Sequence, residues 1–228
     1  MGYTGADGLV LVGGGGHALV VAEAAAMSGR PIRGFLDDDA EAALASVEGI
    51  LPAAGAPPLE VSRLGPLSAV RSLDELGRCE LIVAIGDLRA RRALIDAIGE
   101  SGIARGVKIA TIIHPRAIVS PSANIEPGVF VGPGAIVHAR ARIGAHAIIN
   151  SGAIVEHECV IGENTHVAPG AVMGGRVRIQ SDVLVGLGSR VLRNLEMGRG
   201  STIGAGAVVA RSVDGLRTVV GVPGRGIR

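Results

Sequence analysis

An aliphatic residue recurs every six positions from Ile113 to Val209, with no insertion. The series runs Ile113, Val119, Ile125, Val131, Val137, Ile143, Ile149, Val155, Ile161, Val167, Met173, Ile179, Val185, Val191, Met197, Ile203 and Val209. Four residues after many of them stands a small side chain, as at Ala135, Ala141, Ala147, Ala153, Cys159 and Ala171. A glycine often follows the aliphatic residue directly, as at Gly132, Gly144, Gly162, Gly174 and Gly186. A period of six fits neither the 3.6 of a helix nor the alternation of a half-buried strand. It fits a solenoid of short strands that turns a corner every six residues, with about eighteen residues to a triangular coil. The aliphatic side chain then fills the interior and the small one packs beside it near the corner. No single coil can bury its apolar face, so neighbouring coils must stack. An ordinary sandwich would not hold such a register by chance over so long a run.

The remaining composition agrees. Tyr3, Phe35 and Phe130 are the only aromatic residues in a chain of 228, and a narrow solenoid has little room for rings. Their scarcity argues against nucleic-acid binding by base stacking. The formal net charge of +1 gives no basic footprint for nucleic acid either. Cys79 and Cys159 each lie inside an apolar run and read as reduced, buried thiols, not as a disulfide framework. No stretch reads as a signal peptide or a membrane span, because the apolar run Leu9 to Val12 is broken at once by glycines. A cytoplasmic address is the expectation.

Ahead of the solenoid the pattern changes to alternating strands and helices, which predicts an α/β domain with a small parallel sheet. Residues 1–7 read as a loose leader. Leu9 to Val12 reads as a buried strand, Ala18 to Met27 as a helix stopped by Gly29, and Ile32 to Leu36 as a second strand. The segment 40–66 reads mainly as loop and Leu73 to Leu76 as a short helix. Glu80 to Ile85 is a strong strand, Arg89 to Glu100 an amphipathic helix stopped by Gly102, and Lys108 to Ile112 a further strand. The expected division is 1–110 for a Rossmann-like domain and 111–228 for the solenoid and a turn-rich tail at Gly221-Val222-Pro223-Gly224-Arg225.

Two places carry candidate chemistry. Gly13-x-Gly15-x-x-Ala18 lies between a strand and a helix, where bare backbone N–H groups and the helix dipole favour a phosphate. Asp37 follows the next strand, roughly where an acidic residue would meet a sugar or base. His17 could donate to a phosphate. A domain of about a hundred residues holds one mononucleotide-binding half, which favours a nucleotide-linked sugar over NAD. A tight structural turn with a solvated acidic strand end is the competing reading. In the solenoid, His157 stands next to Glu158, and a histidine beside a carboxylate is a candidate general base. His157 and His166 are half a coil apart, so they can share a site only across a subunit boundary, most simply in a closed ring. His138 and His157 are nearly one coil apart, which raises a zinc site of stacked histidines as an alternative. No closely spaced pair supports it, and no metal is expected.

These residues resemble a known family. Gly-Gly-Gly-His at 14–17, Phe-Leu-Asp-Asp-Asp at 35–39, Val-Ala-Ile-Gly-Asp at 83–87, Val-Glu-His-Glu-Cys-Val-Ile-Gly at 155–162, His-Val-Ala-Pro-Gly-Ala at 166–171 and Gly-Val-Pro-Gly-Arg at 221–225 look like the NeuD/PglD-type bacterial sugar acetyltransferases. The resemblance covers almost the whole chain and implies a left-handed parallel β-helix behind a nucleotide-sugar-binding domain. It implies acetyl-CoA as cosubstrate and a homotrimer with sites between subunits. His157 would then be the base, oriented by Glu158, with Asn150 near the acceptor sugar. His166 and the backbone of Gly175 would face acetyl-CoA. Gly15, Gly16 and His17 would hold the phosphates and Asp37 and Asp38 the base and ribose, with Gly86, Asp87 and Arg91 nearby. Asp87-Leu88 departs from the family's Asn-Asn and leaves the acceptor's nucleotide and sugar open. Gly224 stands where the family has Ala. The implied reaction is N-acetylation of a UDP- or GDP-linked 4-amino sugar. O-acetylation of a sialic-acid-type sugar is the nearest rival, and a non-catalytic sugar-nucleotide scaffold is the reading from a different class.

Overall fold

A computed structural model describes residues 8–46, 60–71, 79–102 and 107–227. The chain divides into two compact units, Met1–Pro115 and Arg116–Arg228.

The first unit is built on five parallel strands, β1 (Leu9–Val12), β2 (Ile32–Leu36), β3 (Arg63–Gly65), β4 (Glu80–Val83) and β5 (Lys108–Ile109), in the order β3-β2-β1-β4-β5. Helix α1 (Gly16–Met27) follows β1, and α2 (Leu88–Gly102) follows β4. β1 is apolar throughout and fully buried because it lies at the centre, paired with β2 and β4. α1 buries Ala18, Val21, Ala22, Ala24, Ala25 and Ala26, a run of strong helix formers. Gly29 ends it with φ of +70°, and the N–H groups of Gly29 and Arg30 close back on the carbonyls of Ala26 and Ala25. That is the paired closure only a left-handed residue allows, and glycine adopts it at least cost. Chain order reverses between β1 and β4, so the loops leaving these strands flank the crevice where α/β sheets bind ligands.

Two readings of this unit are refined. The loop expected over 40–66 contains the short 3₁₀ helix Ala43–Ser46 and the edge strand β3. The former is anchored by buried Leu44, whose N–H donates to the Gly14 carbonyl. The strand expected over Lys108 to Ile112 is two short ones, Lys108–Ile109 and Ile112–Ile113. The helix expected at Leu73 to Leu76 and the leader at 1–7 lie outside the described residues.

In the second unit, strands of two residues recur every six from Ile118–Val119 to Val208–Val209. They stack in parallel with partners eighteen residues apart, as in Ile136 with Ile154 and Arg142 with Val160. Every aliphatic residue of the series from Val131 to Val209 is buried. Val119 and Ile125 are only partly so, because no coil of this unit lies beyond theirs. Ile113, the first of the series, is 38% exposed and Ile112 beside it is buried, so the hexad rule does not place Ile113 inside. The small residues Ala135, Ala141, Ala147, Ala153, Cys159, Thr165 and Ala171 are fully buried, as the corner packing requires. The glycine after the aliphatic residue serves stacking. A Cβ on Gly162 would stand 2.5 Å from the backbone carbon of Gln180 in the next coil. Three residues after the aliphatic one, the chain turns through the left-handed region, at Arg140, His146, Glu158, Asn164, Arg176, Asp182 and Asn194. The tail closes as a hairpin, with Thr218–Val220 pairing antiparallel to Arg225–Ile227.

Ser189 and Ser201 occupy the small-residue column with fully buried hydroxyls that have no hydrogen-bond partner among the described residues. A buried orphan hydroxyl costs about 1–3 kcal/mol. Replacing either serine by the alanine that other coils carry is expected to raise stability by about 1 kcal/mol. Thermal unfolding should then move up by about 2–4 °C for a chain of this size.

Candidate active site

The corner after strand Ile154–Val155 carries Glu156, His157 and Glu158. The His157 Nδ1 lies 3.2 Å from Glu158 Oε2. Glu158 is held by two more groups. Its Oε1 accepts from Arg140, and its Oε2 accepts from Arg176 Nε at 3.1 Å. Arg140 and Arg176 sit eighteen residues before and after Glu158, at the same corner of the coils on either side. The Arg140 guanidinium first and then the His157 ring N–H hold the Glu158 carboxyl below its ordinary range, against an opposing desolvation, with Arg176 adding the least of the three hydrogen bonds. The carboxylate is therefore ionised near neutral pH and can only accept. A neutral His157 ring then presents Nδ1–H to it and leaves Nε2 bare. A bare Nε2 on an oriented, half-exposed imidazole is equipped to take a proton.

Gly175 faces that nitrogen. A Cβ on residue 175 would lie 2.5 Å from His157 Nε2, so glycine there makes room for the ring. His138 does not stack on His157. The register places it on Glu156, with Nε2 3.7 Å from Oε1. Among the described residues no three His, Cys, Asp or Glu side chains gather as a metal site. Cys159 points inward, its Sγ 3.2 Å from the Gly174 carbonyl, and burial pushes its thiol up to about 11. It stays protonated and packs the interior, which leaves it unsuited to carry an acyl group.

Asn150 and His166 form a second pair, with Asn150 Nδ2 3.1 Å from His166 Nε2. Asn150 Oδ1 accepts the Ser151 N–H. His166 lies on the face of strand His166–Val167, and His157 lies at the corner after Ile154–Val155, so one subunit displays the two on different sides.

In the first unit the four glycines divide. A Cβ would strike Ile85 at Gly13 and the Phe35 ring at Gly14, whereas one on Gly15 or Gly16 would meet nothing within 4 Å. The first two serve packing, and the last two open the helix start to approach. No side chain caps α1 at Gly15. Gly86, at the end of the β4 loop, approaches His17, with its Cβ position 3.9 Å from that of His17. Asp37 accepts the N–H groups of Gly14 at 2.6 Å and Asp39 at 2.9 Å, so it fixes the glycine loop to the β2 end. Asp38 accepts from Leu67 N–H at 2.9 Å. Asp87 caps α2 through the N–H groups of Arg89 and Ala90. Arg91 is fully buried and donates to the carbonyls of Ile85 and Gly86, which fixes the β4 loop. The sequence thus located the loops, while these side chains brace them. Arg140 and Arg176 were not anticipated, although counting eighteen residues either way from Glu158 reaches both.

No helix of the described residues is long and apolar enough to cross a membrane. Residues 8–98 match the PglD N-terminal domain and residues 140–175 the bacterial transferase hexapeptide repeats. No curated protein matches the chain significantly. Among solved structures, the chain is similar to a histidine-to-asparagine variant of perosamine N-acetyltransferase from Caulobacter crescentus in complex with CoA and GDP-perosamine. The identity is 33% over 97% of each chain, with a TM-score of 0.83. It is also similar to the acetyltransferase domain of PglB from Neisseria gonorrhoeae FA1090 in complex with acetyl coenzyme A, at 33% identity over 96% of this chain and 98% of that one, TM-score 0.81. WeeI from Acinetobacter baumannii AYE shares the fold at 22% identity over 97% of this chain and all of that one, TM-score 0.78. A five-stranded parallel-sheet unit followed by a left-handed parallel β-helix, matched over nearly the whole chain by the first two of these relatives, makes the chain a member of the NeuD/PglD-type family of sugar acetyltransferases.

Proposed function

We propose that the protein transfers the acetyl group of acetyl-CoA to the amino group of a nucleotide-linked 4-amino sugar. The observation that carries this reading is the similarity along both units at once to an N-acetyltransferase described with CoA and GDP-perosamine. The nucleotide is taken by the open start of α1, with Gly15, Gly16 and His17 at the phosphates and Gly86 beside them. Asp37, Asp38, Asp87 and Arg91 shape that site by holding its loops. His157 is the general base, Glu158 orients it, and Asn150 meets the acceptor. His166 and the Gly175 backbone face the thioester.

The chemistry is direct. The amine nitrogen attacks the thioester carbonyl as His157 Nε2 takes its proton, N–H donors hold the oxyanion, and the C–S bond breaks. The imidazolium returns the proton to the departing CoA sulfur. Subunit assembly completes the site. Ile118, Ile136, Ile154, Val172 and Val208 point outward along one face of the β-helix, with Arg190 between the last two and Ile118 65% exposed. Asn150 lies at the corner before Ile154 and His157 at the corner after it, on the two edges of this face. A homotrimer closed through such faces brings the His157 corner of one copy to the Asn150–His166 side of the next.

Thiol release from acetyl-CoA with a panel of UDP- and GDP-linked 4-amino sugars tests the reading. Turnover on one of them, with an amide in the product, is the expected result. Turnover confined to hydroxyl sugars of the sialic-acid type would replace it with O-acetylation. Binding of sugar nucleotide without turnover on any acceptor would leave a scaffold.

A further inference from the structure

We infer that Arg140 and Arg176 are positioning residues that hold Glu158, and through it the His157 ring, in the orientation that leaves Nε2 free to accept a proton. This rests on the reading of His157 as the base.

Glu158 is the last residue before the corner's interior Cys159 and takes the left-handed backbone conformation, with φ of +59°. Its side chain stands at the surface with three rotatable bonds, and its own turn offers the carboxylate no partner but the His157 ring it orients, which cannot fix it. The neighbouring coils do. Arg140 binds one oxygen and Arg176 the other, and the second oxygen is the one that meets His157 Nδ1. With both oxygens occupied, the carboxylate cannot rotate away without breaking two charge-assisted bonds. Arg140 and Arg176 also adopt the left-handed conformation, with φ of 59° and 61°, so the three residues form one column through three coils. Elsewhere on the same corner the pattern differs, since Ser122 and Asn194 take the positions one coil further out at either end. The charged and titratable neighbours of His157 are few. Glu156 accepts its backbone N–H, Glu158 accepts from its ring, and Arg140 and Arg176 reach it through Glu158. His138 faces Glu156, and Arg193 occupies the corner position one coil beyond Gly175.

The alternative role for a surface arginine beside this site is to hold a phosphate of one of the substrates. The two roles separate by a mutant cycle. Arg140→Gln and Arg176→Gln are made singly, and each again in a Glu158→Gln background. Both arginine side chains are more than half exposed, so the substitutions leave the fold intact, which circular dichroism verifies. The expected result is a fall in kcat of about tenfold for each, with KM for acetyl-CoA and for the acceptor unchanged. In the Glu158→Gln background the same changes should have no further effect, because the arginines act through the carboxylate. A rise in KM with kcat retained, or a full effect that persists without Glu158, would overturn the inference in favour of direct substrate contact.

A readout without substrate keeps the test independent of the proposed reaction. ¹⁵N spectra of the His157 imidazole report which nitrogen carries the proton. The parent protein should show Nδ1–H with bare Nε2 at a pH where the ring is neutral. Both arginine variants should show a mixture of tautomers. An unchanged tautomer in both would overturn the inference even if the enzyme turns over. A shifted tautomer in a protein that acetylates nothing would leave the positioning intact and remove only the assigned reaction.

Discussion

Replacing His157 by alanine is expected to lower kcat by about 10²–10⁴-fold, the range a general base contributes. Binding of acetyl-CoA should stay within about threefold of the parent, because the ring acts in the transition state more than in the ground state. Stability should not change measurably. His157 is half exposed, its ring is flanked by Gly175 and packs into no core, and its hydrogen bond is to a surface carboxylate. Steady-state kinetics with the amino-sugar acceptor and a thermal melt decide the matter together. A loss of turnover with an unchanged melt assigns the base. Turnover within about tenfold of the parent would mean that the acceptor amine loses its proton to water or another group, and His157 would lose its role while the family assignment stood. Glu158→Gln should reproduce a milder version of the defect. It removes the charge that selects the tautomer while keeping an acceptor within reach of Nδ1.

Much of the β-helix was legible because its rule is local and strict. One aliphatic residue in six must point inward, and the register of eighteen that follows is the one the strands adopt. The corners were not legible. Arg140, His146, Glu158 and Arg176 turn through the left-handed region without being glycine, and long charged side chains give no signal of it. Stacking imposes the conformation from the coils above and below. The same blindness hid the arginine clamp, because charges that pair across coils are eighteen residues apart. In the parallel-sheet unit the strands β1, β2 and β4 announced themselves by apolar runs, whereas β3 is three residues long and ends in glycine. The acidic residues show the limit of motif reading most clearly. Asp37, Asp38 and Asp87 sit where a nucleotide-binding motif places them, yet each carboxylate accepts backbone N–H groups of its own chain. A motif identifies the loop and does not say whether a side chain holds the ligand or the loop that holds it.

The glycines of the solenoid allow a sharper separation of fold from function. Gly162 and Gly175 both lack room for a Cβ, with the nearest atom 2.5 Å away in each case. At Gly162 that atom is backbone of the next coil, the carbonyl carbon of Gln180, with Ser181 N at 2.6 Å. At Gly175 it is Nε2 of His157, and the next two atoms belong to the same ring. Backbone in a stack of coils cannot yield without parting the strands beside it, whereas an exposed imidazole can swing out. Gly162→Ala is therefore expected to destabilise the protein by about 1–3 kcal/mol or more, as overpacking does, and to lower the melting temperature accordingly. Gly175→Ala should leave the melt nearly unchanged, because residue 175 takes no left-handed conformation and only the ring gives way. Its cost falls on catalysis. A displacement of reacting groups by about 1 Å lowers rates on the order of 10²-fold, so kcat of Gly175→Ala should approach that of His157→Ala. The double variant should then be no worse than His157→Ala alone, since the methyl group has no ring left to displace. A Gly175→Ala enzyme that keeps its kcat would show that the ring reacts from a different rotamer than the one seen here. A further loss in the double variant would show that the added methyl group also meets the substrate, because the backbone N–H that faces the thioester is kept in both variants.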